Sequence, residues 1–248
     1  MARIPRIPFH FHAEGHAFSG EFHEPPWCPI EAKASASLPT IGGLASARSE
    51  EFSFLEFVSF KKAQTHISGR KLADRVFHTH VTTSIEYLNI ENVLTADRIV
   101  CRLNSIHDPE HPEGLILANG SRFENLQING HKVEVVLRHN LLEDCHTFRR
   151  LHERVASEKK SRTIAKPESR VAICSLVERI ESDLPFVPKG GGHVFEVPNF
   201  GQITIAEIFA EPGTRTLTML HLELGSPQTS NQTVAEARTN GQPSPPTP

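Results

Sequence analysis

Along most of the chain, apolar and polar residues alternate with a period of two. Phe52-Ser53-Phe54, Tyr87-Leu88-Asn89-Ile90, the run from Phe123 to Ile128, Val133-Glu134-Val135 and Ile203-Thr204-Ile205 each place one apolar row on one side of an extended segment. That is the pattern of strands with one buried face. Asn129-Gly130 stands between two of these runs and predicts a hairpin, because a tight primed turn needs positive φ and Asn-Gly tolerates it. Pro212-Gly213-Thr214 plays the same part between Ile203 to Phe209 and Thr216 to Leu224, which are expected to pair antiparallel. Helical spacing is scarce. Phe148, Leu151, His152 and Val155 fall on one face of a predicted helix over Thr147 to Lys160, with Thr147 able to cap it. A second, shorter helix candidate spans Cys174 to Glu181, although Val171-Ala172-Ile173-Cys174 reads equally well as a strand.

The ends differ from the middle. A strand is predicted from Ala17 to Phe22, followed by Pro25, Pro26 and Pro29, a density that excludes both a helix and a central strand. From residue 226 to 248 the chain is rich in Ser, Thr, Asn, Gln and Pro, and it reads as a disordered tail. The organisation expected is therefore an N-terminal strand and Pro-rich segment over 1–29, a β-rich core domain over 30–225 and the tail. The doublets Phe52/Phe54, Leu88/Ile90 and Leu126/Ile128 recur at near-regular separations, so stacked β repeats stand as the alternative to an antiparallel sandwich or barrel with one or two short helices.

Composition narrows the partners. With 26 basic against 29 acidic residues and a formal net charge of −3, the chain as a whole has no field to gather nucleic acid or an anionic membrane, and neither is expected. No run approaches the roughly 20 apolar residues of a membrane-spanning helix. The first residues lack the apolar core of a secretory signal, and Cys28, Cys101, Cys145 and Cys174 are scattered without a CxxC pair. Reduced thiols in the cytoplasm are the expectation, with an extracellular location left open.

The stretches Leu94-Thr95-Ala96-Asp97, Gly120-Ser121-Arg122-Phe123-Glu124-Asn125-Leu126 and Phe200-Gly201-Gln202-Ile203-Thr204-Ile205 resemble segments of uncharacterised bacterial all-β proteins similar to the choice-of-anchor group. The resemblance spans roughly residues 30 to 225. It implies a strand-rich, surface-associated protein and carries over no catalytic residue. The chain departs from that group in lacking a visible signal and an anchor-like tail.

Histidine is the abundant reactive type, with 15 residues. His10-Phe11-His12 and His78-Thr79-His80 are HxH units, and on a strand both imidazoles of such a unit face one side, within reach of one divalent metal ion. The rest of a cupin pattern is missing. His107, Asp108 and His111 lie in the segment His107 to Glu113, whose imidazoles and carboxylates form a second candidate ligand set. His193 follows Gly190-Gly191-Gly192, but these glycines precede a predicted strand, unlike those of a phosphate loop. No GxSxG elbow, HExxH helix or P-loop is present. Cys145-His146 are neighbours in sequence only, and Lys159-Lys160-Ser161-Arg162 with Lys166 form a short basic stretch without aromatics.

Two functions follow. The first is a non-catalytic β-rich binding or assembly protein, its partner another protein or a second copy of itself, met through strand edges and faces. The second is a metal-dependent, cupin-like β-barrel enzyme that requires His10, His12, His78 and His80 to converge.

Overall fold

The computed structural model describes residues 9–23, 27–111, 113–157, 170–185, 192–225 and 229–243. In chain order the elements begin with β1 (Phe9–Phe22), β2 (Cys28–Lys33), β3 (Ala36–Ser37), β4 (Gly43–Ser49), β5 (Phe52–Phe54), β6 (Val58–Phe60), β7 (Lys62–Ala73), β8 (Val76–Ile90) and β9 (Leu94–His107). There follow β10 (Leu115–Leu117), β11 (Arg122–Glu124), β12 (Gln127–Ile128), β13 (His131–Leu137) and two helices, α1 (Leu141–Asp144) and α2 (Phe148–Ser157). The last strands are β14 (Ala172–Ser175), β15 (Val177–Ser182), β16 (Val194–Val197), β17 (Gly201–Glu211), β18 (Thr214–Leu224) and β19 (Ser230–Pro243).

These strands form two antiparallel sheets packed face to face as a sandwich, with no closed barrel. Sheet A runs β14-β17-β18-β19-β1-β2, with β16 on β17 and β3 on β1. Sheet B runs β15-β13-β12-β9-β8-β6-β5, with β7 and β4 continuing from β8 and with β10 and β11 on β9. Both predicted hairpins form: Ile128 opposes His131 across Asn129-Gly130, and Glu211 opposes Thr214 across Pro212-Gly213. Thr147 caps α2, its hydroxyl accepting from Arg150 N at 3.3 Å. Residues 158–160 of the predicted helix lie outside the described residues. The helix candidate over 174–181 does not form: the strand alternative holds as β14 in sheet A, and after Leu176 the chain enters β15 of sheet B. Pro29 sits in the edge strand β2, where a missing donor is tolerated. The recurring doublets lie on β5, on β8 and at the start of β12, where Leu126 just precedes the strand, all in one antiparallel sheet and not in a stacked repeat.

One expectation is overturned. Residues 230–243 are not a tail. They form β19, paired with β1 from Phe9↔Pro243 to Phe22↔Ser230 and with β18 from Thr214↔Asn240 to Leu224↔Ser230. Its inner row holds Gln232, Val234, Ala237 and Thr239, all buried, and it is short on apolar residues because small and polar side chains fill the thin space there. Thr239 donates to Ser105 of sheet B at 3.1 Å, and Gln232 donates to Ser230 at 3.0 Å. The strand is held by ladders on both sides, which polar composition does not disclose.

The core lies between the sheets. Phe9 stacks on Phe77 with ring centroids 4.5 Å apart, Phe18 and Phe22 meet Phe52, Phe60, Phe54 and Phe57, and Ile205, Leu217 and Leu220 are fully buried. Sheet A also carries a crease. Ala206, Met219, Ala235 and Ala17 each lack a cross-strand partner and lie side by side on β17, β18, β19 and β1, while the register on either side is unchanged. Ala206 and Ala235 have positive φ, 49° and 52°. Crossing the crease flips the alternation on all four strands, so Leu217 and Leu220 both point inward and His16 and Ser19 both point outward.

Candidate functional site

The predicted metal ligands do not come together. Phe9, Phe11 and Phe77 are buried between the sheets, so the intervening His10 and His12 face outward from sheet A and His78 and His80 face outward from sheet B. Packed sheets stand about 10 Å apart, and the two pairs point away from each other across that thickness. A site shared by both HxH units is therefore excluded by the topology. In the second set, Asp108 accepts from the backbone N–H groups of Glu110 and His111, both at 2.8 Å, and from His111 Nδ1 at 3.1 Å. Burial pushes the Asp108 carboxyl up, but these hydrogen bonds outweigh it and hold it below its ordinary value. His107 turns the other way, into the core beside Phe9, where any side chain at Gly114 would strike its ring. Among the described residues no group of three or more His, Cys, Asp or Glu is placed to hold a metal ion. Gly190 and Gly191, and the basic stretch 159–166, lie outside the described residues.

What the sequence hides is how charge divides between the two outer faces. On β7, β8 and β9 the outward positions of sheet B carry Lys62, Arg70, Arg98 and Arg102 with His66, His78 and His80, and the acids on these strands are Glu86 and the exposed Asp97. Arg98 lies 3.8 Å from Glu86. Burial lowers the pKa of His78, and the neighbouring His80 and Arg70 lower it further, as expected where positive groups crowd without enough counter-charge. His80 is fixed between Asn104 Oδ1 at 2.5 Å and the Thr82 hydroxyl at 2.7 Å, and Arg102 Nε donates to the same hydroxyl at 3.3 Å.

The outer face of sheet A has the opposite sign. Glu14 and Glu21 on β1, Glu236 on β19, Glu223 on β18, Glu207 and Glu211 on β17 and Glu196 on β16 all point outward, with Arg238 as a counter-charge 3.1 Å from Glu14. His12, Glu14, Arg238 and Asn240 line a polar groove of 240 Å³ there.

Along the crease this face becomes a network. On one side Glu207, Thr218, Glu236 and His16 stand in one cross-strand row, and on the other Thr204, His221, Thr233 and Ser19 stand in the next. Ser19 Oγ is 3.0 Å from His16 Nε2 and 2.7 Å from Thr233 Oγ1, which is itself 2.9 Å from His16 Nε2. Glu236 Oε1 lies 3.9 Å from His16 Nδ1, and its Oε2 accepts from the Thr218 hydroxyl at 2.9 Å. His221 repeats the motif, with Nδ1 3.6 Å from Glu207 and Nε2 2.9 Å from Asn231 Oδ1. The Glu207 carboxylate, helped by Asn231, holds the His221 imidazole above its ordinary value against the effect of burial. His16 and Glu236 are 220 positions apart in the chain, so no local motif signals them. The only trace in the sequence is a slip of the apolar phase, from Phe9, Phe11 and Ala13 to Phe18 and Phe22.

Among the described residues one charged group, an arginine, is buried. Arg215, 2% exposed, donates to the carbonyls of Glu211 at 2.6 Å and Thr214 at 2.8 Å, and its Nη2 is 3.7 Å from Glu113. Glu113 also accepts from Phe148 N at 2.7 Å, tying the first turn of α2 to the end of the sandwich. Burial lowers the Arg215 pKa and Glu113 opposes that shift; a guanidinium stays charged in such a site.

No helix among the described residues is long and apolar enough to cross a membrane. No curated protein and no solved structure matches the chain, and nothing found connects it to the choice-of-anchor group. A family model, that of a domain of unknown function named DUF8256, matches residues 9–165. The matched span takes in β1 to β13 and both helices and stops before β14 to β19, which supply most of sheet A and the β15 edge of sheet B. Since it covers more than half of the sequence, the chain belongs to the DUF8256 family.

Proposed function

We propose that this protein is a binding or assembly module whose basic outer face of sheet B docks an acidic polypeptide surface. The observation that supports this reading most is the run of outward Lys62, Arg70 and Arg102 on adjacent strands, with three histidines and only Glu86 and Asp97 as acids on those strands. A flat sheet face with spaced guanidinium groups suits carboxylates, which arginine meets with two parallel hydrogen bonds. Base stacking has little to use: on β7 to β9 the exposed aromatic is Tyr87, already covered by Lys61 Nζ at 4.4 Å from its ring centroid. The metal-enzyme reading has no support from the divergent histidine pairs.

Titration calorimetry with poly-L-glutamate tests the proposal. Binding is expected to weaken with salt and to drop at least about tenfold in an Arg70→Glu/Arg102→Glu double variant. A Glu207→Gln/Glu223→Gln variant of the opposite face should bind as the parent does. Equal binding by the double variant would remove the basic face from the account, and a preference for duplex DNA over poly-L-glutamate would replace the polypeptide partner with a nucleic acid.

A further inference from the structure

We propose that Ser19 and His16, on the acidic outer face of sheet A, are the nucleophile and general base of an acyl-transfer site for small esters. The crease is what makes the pair possible. On a regular strand, positions three apart face opposite sides; here the phase flip turns both outward, and the hydroxyl and imidazole nitrogen stand 3.0 Å apart, within reach for proton transfer. Glu236, directly across from His16 on β19, supplies a negative charge 3.9 Å from the far ring nitrogen. That is an electrostatic rather than a hydrogen-bonded distance, and such contacts commonly tighten only when substrate is bound.

A substrate has somewhere to sit. Ser19 and Thr233 open on a groove of 300 Å³ whose other walls include Pro29, Ile30 and Asn231, at the lower end of the roughly 300–1,000 Å³ of small-molecule sites. Pro29, across from Glu21 at the groove's edge, offers an apolar surface to a short acyl group. Asn231 Oδ1 is engaged by His221 at 2.9 Å, which leaves its amide N–H as the end able to donate to a developing oxyanion. Glu207 and His221 are positioning residues in this scheme, because they act through Asn231.

The chemistry balances without any co-reactant besides water. As Ser19 Oγ bonds to the ester carbonyl carbon, its proton passes to His16 Nε2. When the carbon–oxygen bond of the ester breaks, that proton leaves with the alcohol and the acyl group stays on Ser19. Water, losing its proton to the same nitrogen, then attacks the acyl carbon and frees the carboxylic acid, and the proton returns to Ser19.

The test uses the full chain with p-nitrophenyl acetate and a fluorophosphonate probe. Ser19 should carry the phosphonyl adduct in peptide mass spectra, and hydrolysis by the parent should exceed that by Ser19→Ala and His16→Gln at least tenfold, with all three proteins melting at similar temperatures. Glu236→Gln should lower kcat and leave KM unchanged, whereas a purely structural carboxylate would move neither. Absence of an adduct on Ser19, or hydrolysis by Ser19→Ala at the parent rate, would overturn the proposal and leave the network as cross-strand stabilisation alone.

Discussion

The centre of sheet B is built from sequence neighbours, since β7, β8 and β9 follow one another and pair in that order, whereas the centre of sheet A joins β1 to β19 from opposite ends of the described chain. Their outer faces differ as much. Sheet B's central face is basic, with its charges spread along β7, β8 and β9, while sheet A's is acidic and knits its groups together at a crease. Local pairing leaves each strand free to carry surface residues for a partner. Long-range pairing, by contrast, brings distant residues such as Ser19, Thr233 and His221 into one contact network. The two sheets thus illustrate two routes from sequence to a surface, one readable as a pattern and one only as a fold.

The sharpest way to break this comparison is to remove β19. A chain ending at Gly225 loses the ladders to both β18 and β1, and it is expected to show no cooperative thermal transition, as followed by near-ultraviolet circular dichroism. Retention of a native-like transition would mean that sheet B holds the fold alone. Next comes Arg215. Replacing it with Ala takes from Glu113 its buried partner and from two carbonyls one donor, and because Glu113 is itself 32% exposed the loss is expected to fall below the about 3–5 kcal/mol of a fully buried broken pair. Arg215→Met, which keeps the volume without the charge, should lose less, and urea melts of the two variants distinguish packing from pairing.

Smaller effects sharpen the contrast between the faces. The His221 pKa is raised by Glu207, so the stability it adds is fully present below the ordinary histidine pKa of about 6.5 and is lost as pH rises through the higher folded value. The His78 pKa is lowered by burial and by His80 and Arg70, so its effect has the opposite sign: stability is present above about 6.5 and is lost as pH falls through the lower folded value. Thermal melts from pH 5 to 8 should show His221→Gln and His78→Gln flattening opposite limbs of the parent's profile, each by under about 1 kcal/mol. An acidic ligand on sheet B should raise the His78 pKa, read from its ring proton shifts in NMR. No movement on saturation with poly-L-glutamate would place the ligand elsewhere.

Much of the fold was legible where apolar residues alternate or turn residues punctuate them: both hairpins, the helix from Phe148 and the strand ending at Phe22 all follow from local pattern. β19 was not, because Gln232, Ala237 and Thr239 are inner-row residues chosen for a thin, partly polar interior, so the strand's burial leaves no hydrophobic signature. The HxH units were read correctly as same-face pairs. That they lie on opposite faces of a sandwich depends on which sheet each strand joins, and period-two alternation is silent on that. The His16 and Ser19 network was beyond reach for a related reason, since its members meet through register and not through spacing.

The crease also bears on how such a protein can change over generations. Because Ala206, Met219, Ala235 and Ala17 stand abreast, deleting a residue at any one of them would set half of that strand out of step with its neighbours, turning its buried row toward water. The feature is therefore inherited or lost as a block of four strands. In distant descendants whose side chains have drifted beyond recognition, that shared phase slip would endure as a mark of common ancestry.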